Sequence, residues 1–267
     1  MREIREYRVP RGAVGVWWLG QNGFLFKSPE GTIAGVDLYL TNSCDGLVPG
    51  MDLSRQVPVL IPPEEIDVDI FTCTHNHQDH TDPETIRGLR NKDAIRFAGP
   101  PPSCAVFQAG GVESGRITVS WPLCDLEFKD LRLRGTFALP TDDSDLNHMG
   151  FVFRFGGGPR IYVTGDTADH ELLASAARFE PDLMITVING GFNNLSHWEA
   201  AGLAAKISSG GDRRSTVIGA SHLVAVPPPV RGTCLTQKVA GPLLACCPVR
   251  VRGLAESWKQ PSPSPPG

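Results

Sequence analysis

A chain of 267 residues with 41% hydrophobic and 20% charged residues has the make-up of an ordinary globular protein, long enough to bury roughly three quarters of the surface its unfolded chain would expose. Its net charge of −4, with basic clusters no longer than pairs such as Arg213-Arg214, argues against a nucleic-acid-binding face, and no run of about 18 apolar residues could span a bilayer. The charged stretch Met1 to Pro10 lacks the apolar run of a secretory signal, and seven cysteines in irregular places, none in a CxxC pair, fit free thiols in a reducing cytoplasm.

Val14 to Leu19 and Gly23 to Lys27, rich in Val, Trp and Phe and separated by Gly20-Gln21-Asn22, predict an opening β-hairpin. Thr32 to Tyr39 reads as a third strand, and the alternating Ile66 to Thr74 as a fourth that delivers a histidine-rich loop to one edge of a sheet. Asp82-Pro83-Glu84 supplies an N-cap, a proline at the first helical position and an acidic first turn, so a helix is expected to about Leu89. Arg132 to Ala138, Gly150 to Phe155 and Arg160 to Thr164 read as strands, the last running into Gly165-Asp166. Asp182 to Ile188 is a further strand, followed by a loop from Asn189 to Leu195. Ser196 and Glu199 form a capping box that opens a helix through about Ile207, and Thr216 to Ala220 closes the pattern just before His222. Strands and helices mixed in this order predict an α/β sandwich of sheets flanked by helices.

His75-Asn76-His77-Gln78-Asp79-His80 packs three imidazoles and a carboxylate into six residues. Imidazoles this close repel one another when protonated, unless burial or a cation keeps them neutral. In an extended turn His75 and His77 would point one way and grip one metal, while Asp79 and His80 would face the other way and grip a second. Nitrogen and carboxylate ligands suit zinc, manganese or iron. A two-metal site needs a bridging anion, for which Asp166 is placed by the sharp turn Gly165 permits; His148 and His222 complete the two shells. His170 and His197 read as surface or capping residues.

With these residues the chain resembles the metallo-β-lactamase superfamily, whose signature is HxHxDH followed by a His, a bridging Asp and a last His. Within it, the chain is similar to the branch of the L-ascorbate-6-phosphate lactonases. That likeness rests on Trp18-Leu19-Gly20-Gln21 with Gly23-Phe24, on Asp37 with Tyr39-Leu40, on Thr74 to Asp82, on His148-Met149-Gly150, on Tyr162 to Thr167 and on Ile188-Asn189-Gly190. It covers about residues 12 to 222. The resemblance implies a four-layered αββα sandwich with the metal site at one edge of the two sheets, in a domain spanning residues 1 to 222.

The function expected is that of a metallo-hydrolase with two divalent ions, zinc or manganese, using a metal-bridging hydroxide on a lactone or related ester. Asp79 is the candidate to orient the nucleophile and shuttle its proton, and Asn189, Asn193 and Asn194 are the candidate substrate contacts. The partner expected is a small-molecule substrate, with no membrane and no nucleic acid, and a homo-oligomer is compatible. The alternatives are a phosphodiesterase or nuclease of the same superfamily, and a product impaired by an altered C-terminus.

That last alternative arises because the family-like pattern stops after His222. Residues 223 to 267 read as an irregular, proline-rich tail, disordered or translated out of frame. Leu-Val-Ala-Val-Pro-Pro, residues 223 to 228, can be encoded by bases that spell Trp-Trp-Pro-Phe-Arg-His when read one nucleotide later. Sequencing the gene is expected to show an amphipathic continuation in the neighbouring frame. A stop codon within its first dozen codons would end the idea.

Overall fold

The structure is a computed structural model that describes residues 1–142 and 146–208, and residues 216–220 through their backbone. His222 and the segment 223–267 lie outside the described residues, as does the boundary expected between them.

A short helix α1 (Arg2–Glu6) precedes the hairpin of β1 (Gly15–Gly20) and β2 (Gly23–Lys27). The buried ammonium of Lys27 donates to the carbonyls of Ile4, Arg5 and Tyr7 at 2.8, 2.6 and 2.9 Å, closing the carboxyl end of α1. β3 (Ile33–Val36) is shorter than the run expected from Thr32 to Tyr39. It stops because Asp37 adopts φ +47°, which breaks the extended backbone and turns the chain across the end of the neighbouring strand. That neighbour, β4 (Ile70–Thr72), also ends early, as the backbone leaves the sheet to form the histidine loop.

Helix α2 (Pro83–Gly88) has Asp82 as its N-cap, the carboxylate accepting from Glu84 N at 2.9 Å. Next come β5 (Arg96–Gly99), α3 (Pro101–Ala109), β6 (Ile117–Val119) and β7 (Asp125–Phe128), none of which sequence periodicity had marked. β8 (Leu131–Phe137), β9 (Met149–Phe155), β10 (Arg160–Val163) and β11 (Leu183–Val187) follow within a residue or two of expectation, with a 3₁₀ segment, Glu171–Phe179, between the last two. Helix α4 (His197–Ser208) opens on the reciprocal capping box, Ser196 N to Glu199 Oε2 at 2.7 Å and Glu199 N to Ser196 Oγ at 3.3 Å, before β12 (Thr216–Ala220).

The strands form two six-stranded sheets, β1 to β6 and β7 to β12, each in sequence order. Both inner faces meet in one apolar layer containing Phe24, Phe26, Val36, Ile70, Phe151, Phe153, Ile161 and Ile185. The alternate residues Leu19, Leu25, Phe71 and Phe97 of the first sheet turn outward, packing with Ile86 of α2 and Phe107 of α3. Tyr162 and Met184 do the same on the second sheet with Leu203 and Ile207 of α4. Four layers, αββα, result, with burial of each large side chain contributing about 1.5–3 kcal/mol. Among the described residues no helix is long and apolar enough to cross a membrane.

Within each sheet the parallel strands (β3, β4, β5 and β6; β10, β11 and β12) end on the same edge, and β9, antiparallel to β10, begins there. Met149 N donates to Thr74 O at 3.1 Å, joining the two sheets at that edge. Gly150 sits in the join: a Cβ there would lie 2.6 Å from both Thr136 Oγ1 and Val163 O and 2.9 Å from Thr164 O. Gly150→Ala is expected to destabilise the fold by about 1–3 kcal/mol through overpacking against backbone. An unchanged denaturant midpoint would refute this account of the join.

Candidate metal centre

The edge is organised by Asp37, whose side chain is fully buried. Its carboxylate accepts four hydrogen bonds: from Asn22 Nδ2 (2.7 Å), Thr74 N (2.8 Å), Thr74 Oγ1 (2.7 Å) and His80 Nδ1 (2.9 Å). The last fixes the His80 ring with Nε2 directed away from Asp37, where it lies 3.4 Å from Asp166 Oδ1 and 3.7 Å from Asp79 Oδ2. Because Thr74 gives its single hydroxyl proton to Asp37, its oxygen acts as acceptor toward His75 Nδ1 at 3.1 Å. His148 Nδ1 likewise faces the carbonyl oxygen of Asp166 at 3.2 Å, which can only accept. In all three rings the proton is thereby held on Nδ1, and Nε2 is the nitrogen that would bind a cation.

The loop itself is not extended. His80 N and Thr81 N both donate to His77 O, at 2.9 and 2.8 Å, so the chain coils from His77 to His80. The simple alternation expected for His75 and His77 against Asp79 and His80 is therefore replaced by a clustered geometry. The His75 ring stands 4.0 Å from those of both His80 and His148 and 4.5 Å from that of His77. Among the described residues two groups of ligand atoms result, the atoms of each lying within 4.8 Å of one another: His75, His77 and His148, and His75, His80 and Asp166. Asp166 is delivered by Gly165, whose φ of +66° and would-be Cβ, 2.8 Å from Thr74 Cβ and 2.9 Å from Met149 O, exclude a side chain.

The donor set fits cations. His75 Nε2 is buried with no hydrogen-bond partner among the described residues, an omission worth about 1–3 kcal/mol in the absence of a ligand. Burial, followed by the neighbouring His80 and His148, holds the His75 pKa well below the usual imidazole range, so its lone pair is available. Burial also opposes a charge on His80, but Asp79, Asp166 and Asp37 together outweigh it and hold that pKa well above the usual range. The carboxylates gathered about His80 are a concentration of negative charge that bound cations would balance.

Of the residues expected at the site, His75, His77, His80, His148, Asp79 and Asp166 are brought together, and His222 lies outside the described residues. The asparagines make hydrogen bonds within the protein. Asn194 is buried and donates to Asp166 Oδ2 at 2.8 Å, which is a contact within the protein where a substrate contact was expected. Asn193 donates to Thr141 O at 2.7 Å, and Asn189 Oδ1 accepts from Gly191 N at 3.2 Å. His170 caps the 3₁₀ segment by accepting from Leu172 N at 3.1 Å, and His197 opens α4 at the surface. Asp37 is the residue that sequence reasoning gave no role at the site; its signals were its place in the family-like stretch with Tyr39-Leu40 and an acidic residue ending a strand between apolar neighbours.

Asp37→Ala is expected to lower metal affinity about 10–100-fold by releasing His80 and Thr74. His170→Ala and His197→Ala should leave metal content unchanged. Chelator competition on the three variants checks both statements, and wild-type affinity in Asp37→Ala would show that His80 does not depend on it.

Known proteins share this architecture. A model of the β-lactamase superfamily domain matches residues 15–209. A metal-dependent hydrolase of Anaeromyxobacter sp. (strain K) is 27% identical over 79% of this chain and 75% of its own length. A probable L-ascorbate-6-phosphate lactonase of Salmonella newport is 24% identical over 62% of this chain and 57% of its own. The crystal structure of an isothiocyanate hydrolase from Delia radicum gut bacteria superposes with a TM-score of 0.63 at 18% identity, covering 79% of this chain and 88% of that one. Since the domain model spans most of the sequence and the two sheets carry the matching fold, this chain belongs to the metallo-β-lactamase superfamily.

Proposed function

We propose that the protein is a metal-dependent hydrolase that opens a lactone, or cleaves a related carboxylic ester, of a small polar substrate. The observation that carries this reading is the pair of donor groups sharing His75, flanked by carboxylates: Asp37 and Asp166 within the cluster, Asp79 at its rim, and Asp142 at 3.7 Å from His77. The two carboxylates at the mouth of the cluster, Asp79 and Asp142, suit a neutral carbonyl better than an anionic phosphodiester. The likeness to a probable lactonase supports the same choice.

His75, His77 and His148 would hold one cation, and Asp79, His80 and His222 the second, with Asp166 between them. Two such ions, zinc or manganese, would supply hydroxide at neutral pH and polarise a carbonyl oxygen when bound. Asp79, whose side chain is 17% exposed, stands where the buried cluster meets solvent. Its carboxylate would take the proton that the water gives up in becoming hydroxide, before the new C–O bond forms. It would return that proton to the alkoxide as the ester C–O bond breaks, so one water and one lactone give one hydroxy acid. Burial of His75, His80 and Asp37 keeps bulk water from the inner side of the cluster. We assign substrate contact to the loop from Asn189 to Ser196, where Phe192 and Asn193 are exposed.

A screen of lactones and phosphodiesters, with zinc and manganese supplied separately, tests the reading. Lactone opening is the expected result; turnover of phosphodiesters alone would overturn the ester assignment. Asp166→Ala should abolish activity and lower metal content, because two cations at short range lose their bridging anion. Two metals per chain with near-normal turnover in that variant would sink the metal-centre assignment.

A further inference from the structure

The loop after β11 is built more tightly than a surface connection requires. Asn194 N donates to Gly191 O at 2.9 Å, and the two residues between them, Phe192 and Asn193, have φ of +54° and +59°. This is a left-handed turn, and a phenylalanine in it is strained by about 1–2 kcal/mol. Phe192 is 47% exposed, so burial of its ring does not repay that strain in full. What the turn achieves is the placement of its last residue. Asn194 is 5% exposed and spans two groups of the loop after β10: its Nδ2 donates to Asp166 Oδ2 at 2.8 Å, and its Oδ1 accepts from Thr167 N at 3.0 Å. Gly190 N to Leu195 O at 3.1 Å, Leu195 N to Thr167 O at 3.0 Å and Asn193 Nδ2 to Thr141 O at 2.7 Å hold the turn against its surroundings.

We infer that Asn194 is the positioning residue of the metal centre on the side of the second sheet, holding Asp166 by Oδ2 so that Oδ1 is presented to the cations. The geometry favours this over simple loop stapling. Asp166 Oδ1 lies 3.4 Å from His80 Nε2, so the two oxygens have separate duties, one toward Asn194 and one toward the cluster. Without the amide, rotation of the carboxylate would carry Oδ1 away from that place, and a partly buried anion would lose a charge-assisted hydrogen bond. Asp37 does the corresponding task for His80 from the first sheet, so each sheet contributes its own fixing group. The inference rests on reading Asp166 as a metal ligand.

The full-length protein, stripped and titrated with Co²⁺, tests it without recourse to catalysis. Asn194→Ala removes both contacts. Asn194→Asp keeps an oxygen for Thr167 N–H but sets a second oxygen against Asp166 Oδ2. With the fold intact by circular dichroism, both variants are expected to bind one of two Co²⁺ ions about 10–100-fold more weakly than wild type, with altered visible d–d bands. Wild-type affinity and spectrum in Asn194→Asp would overturn the inference, leaving a stapling role that only Asn194→Ala disturbs; should Asn194→Ala not fold, Asn194→Asp decides alone. A wild-type protein that binds no Co²⁺ would overturn the metal-centre reading and the inference together. Wild-type binding with no turnover of lactones would overturn only the ester reading.

Discussion

A buried carboxylate survives only when its oxygens are saturated with donors, and Asp37 meets that requirement by drawing on three separate parts of the first sheet. Asn22 comes from the hairpin turn between β1 and β2, Thr74 from the end of β4, and His80 from the far side of the histidine loop. The same four hydrogen bonds that hold the charge inside therefore hold these segments in register. They also set the tautomer of His80 directly and that of His75 through the Thr74 hydroxyl. Orientation of the ligands and stability of the sheet edge are one interaction.

A second buried carboxylate extends the frame. Asp82 accepts from Thr41 Oγ1 (2.6 Å), Ser43 Oγ (2.8 Å), Thr85 Oγ1 (2.6 Å) and Glu84 N (2.9 Å), so the N-cap of α2 also anchors the segment that follows Asp37. The histidine loop is thereby fixed at both ends by residues that cannot move without exposing an unpaired charge. On the opposite side Gly165 and Asn194 constrain Asp166, and Met149 N to Thr74 O closes the gap between the sheets. Ligand-bearing loops are commonly the most adaptable part of a fold; here they are braced from both sheets, as a preorganised centre requires.

The αββα scaffold places its parallel strand ends on one edge, and ligand sites in sheets of this kind form outside the carboxyl ends of such strands. One scaffold of this kind hosts many chemistries, and the side chains at that edge decide which of them it carries out. The three carboxylates about His80, the shared position of His75 and the partly exposed Asp79 are what separate a hydrolytic site from a buried histidine cluster.

Much of this was readable along the chain, because the features concerned are local. Six consecutive residues from His75 to His80, the cap at Asp82, the capping box of Ser196 and Glu199, and alternating runs such as Gly150 to Phe155 carry their meaning at short range. The three- and four-residue strands β4, β5 and β6 are too brief for a period to be recognised, and α3 opens on prolines that read equally well as a loop. The coil from His77 to His80, the place of Asp37 under the ring of His80 and the grip of Asn194 on Asp166 were decided only in three dimensions. Asp37 is 43 positions from His80, and Asn194 28 from Asp166. A hydrogen bond over such a separation leaves no trace in composition or period; it exists because packing of the two sheets brings strand ends together and leaves a buried charge that must find its donors there.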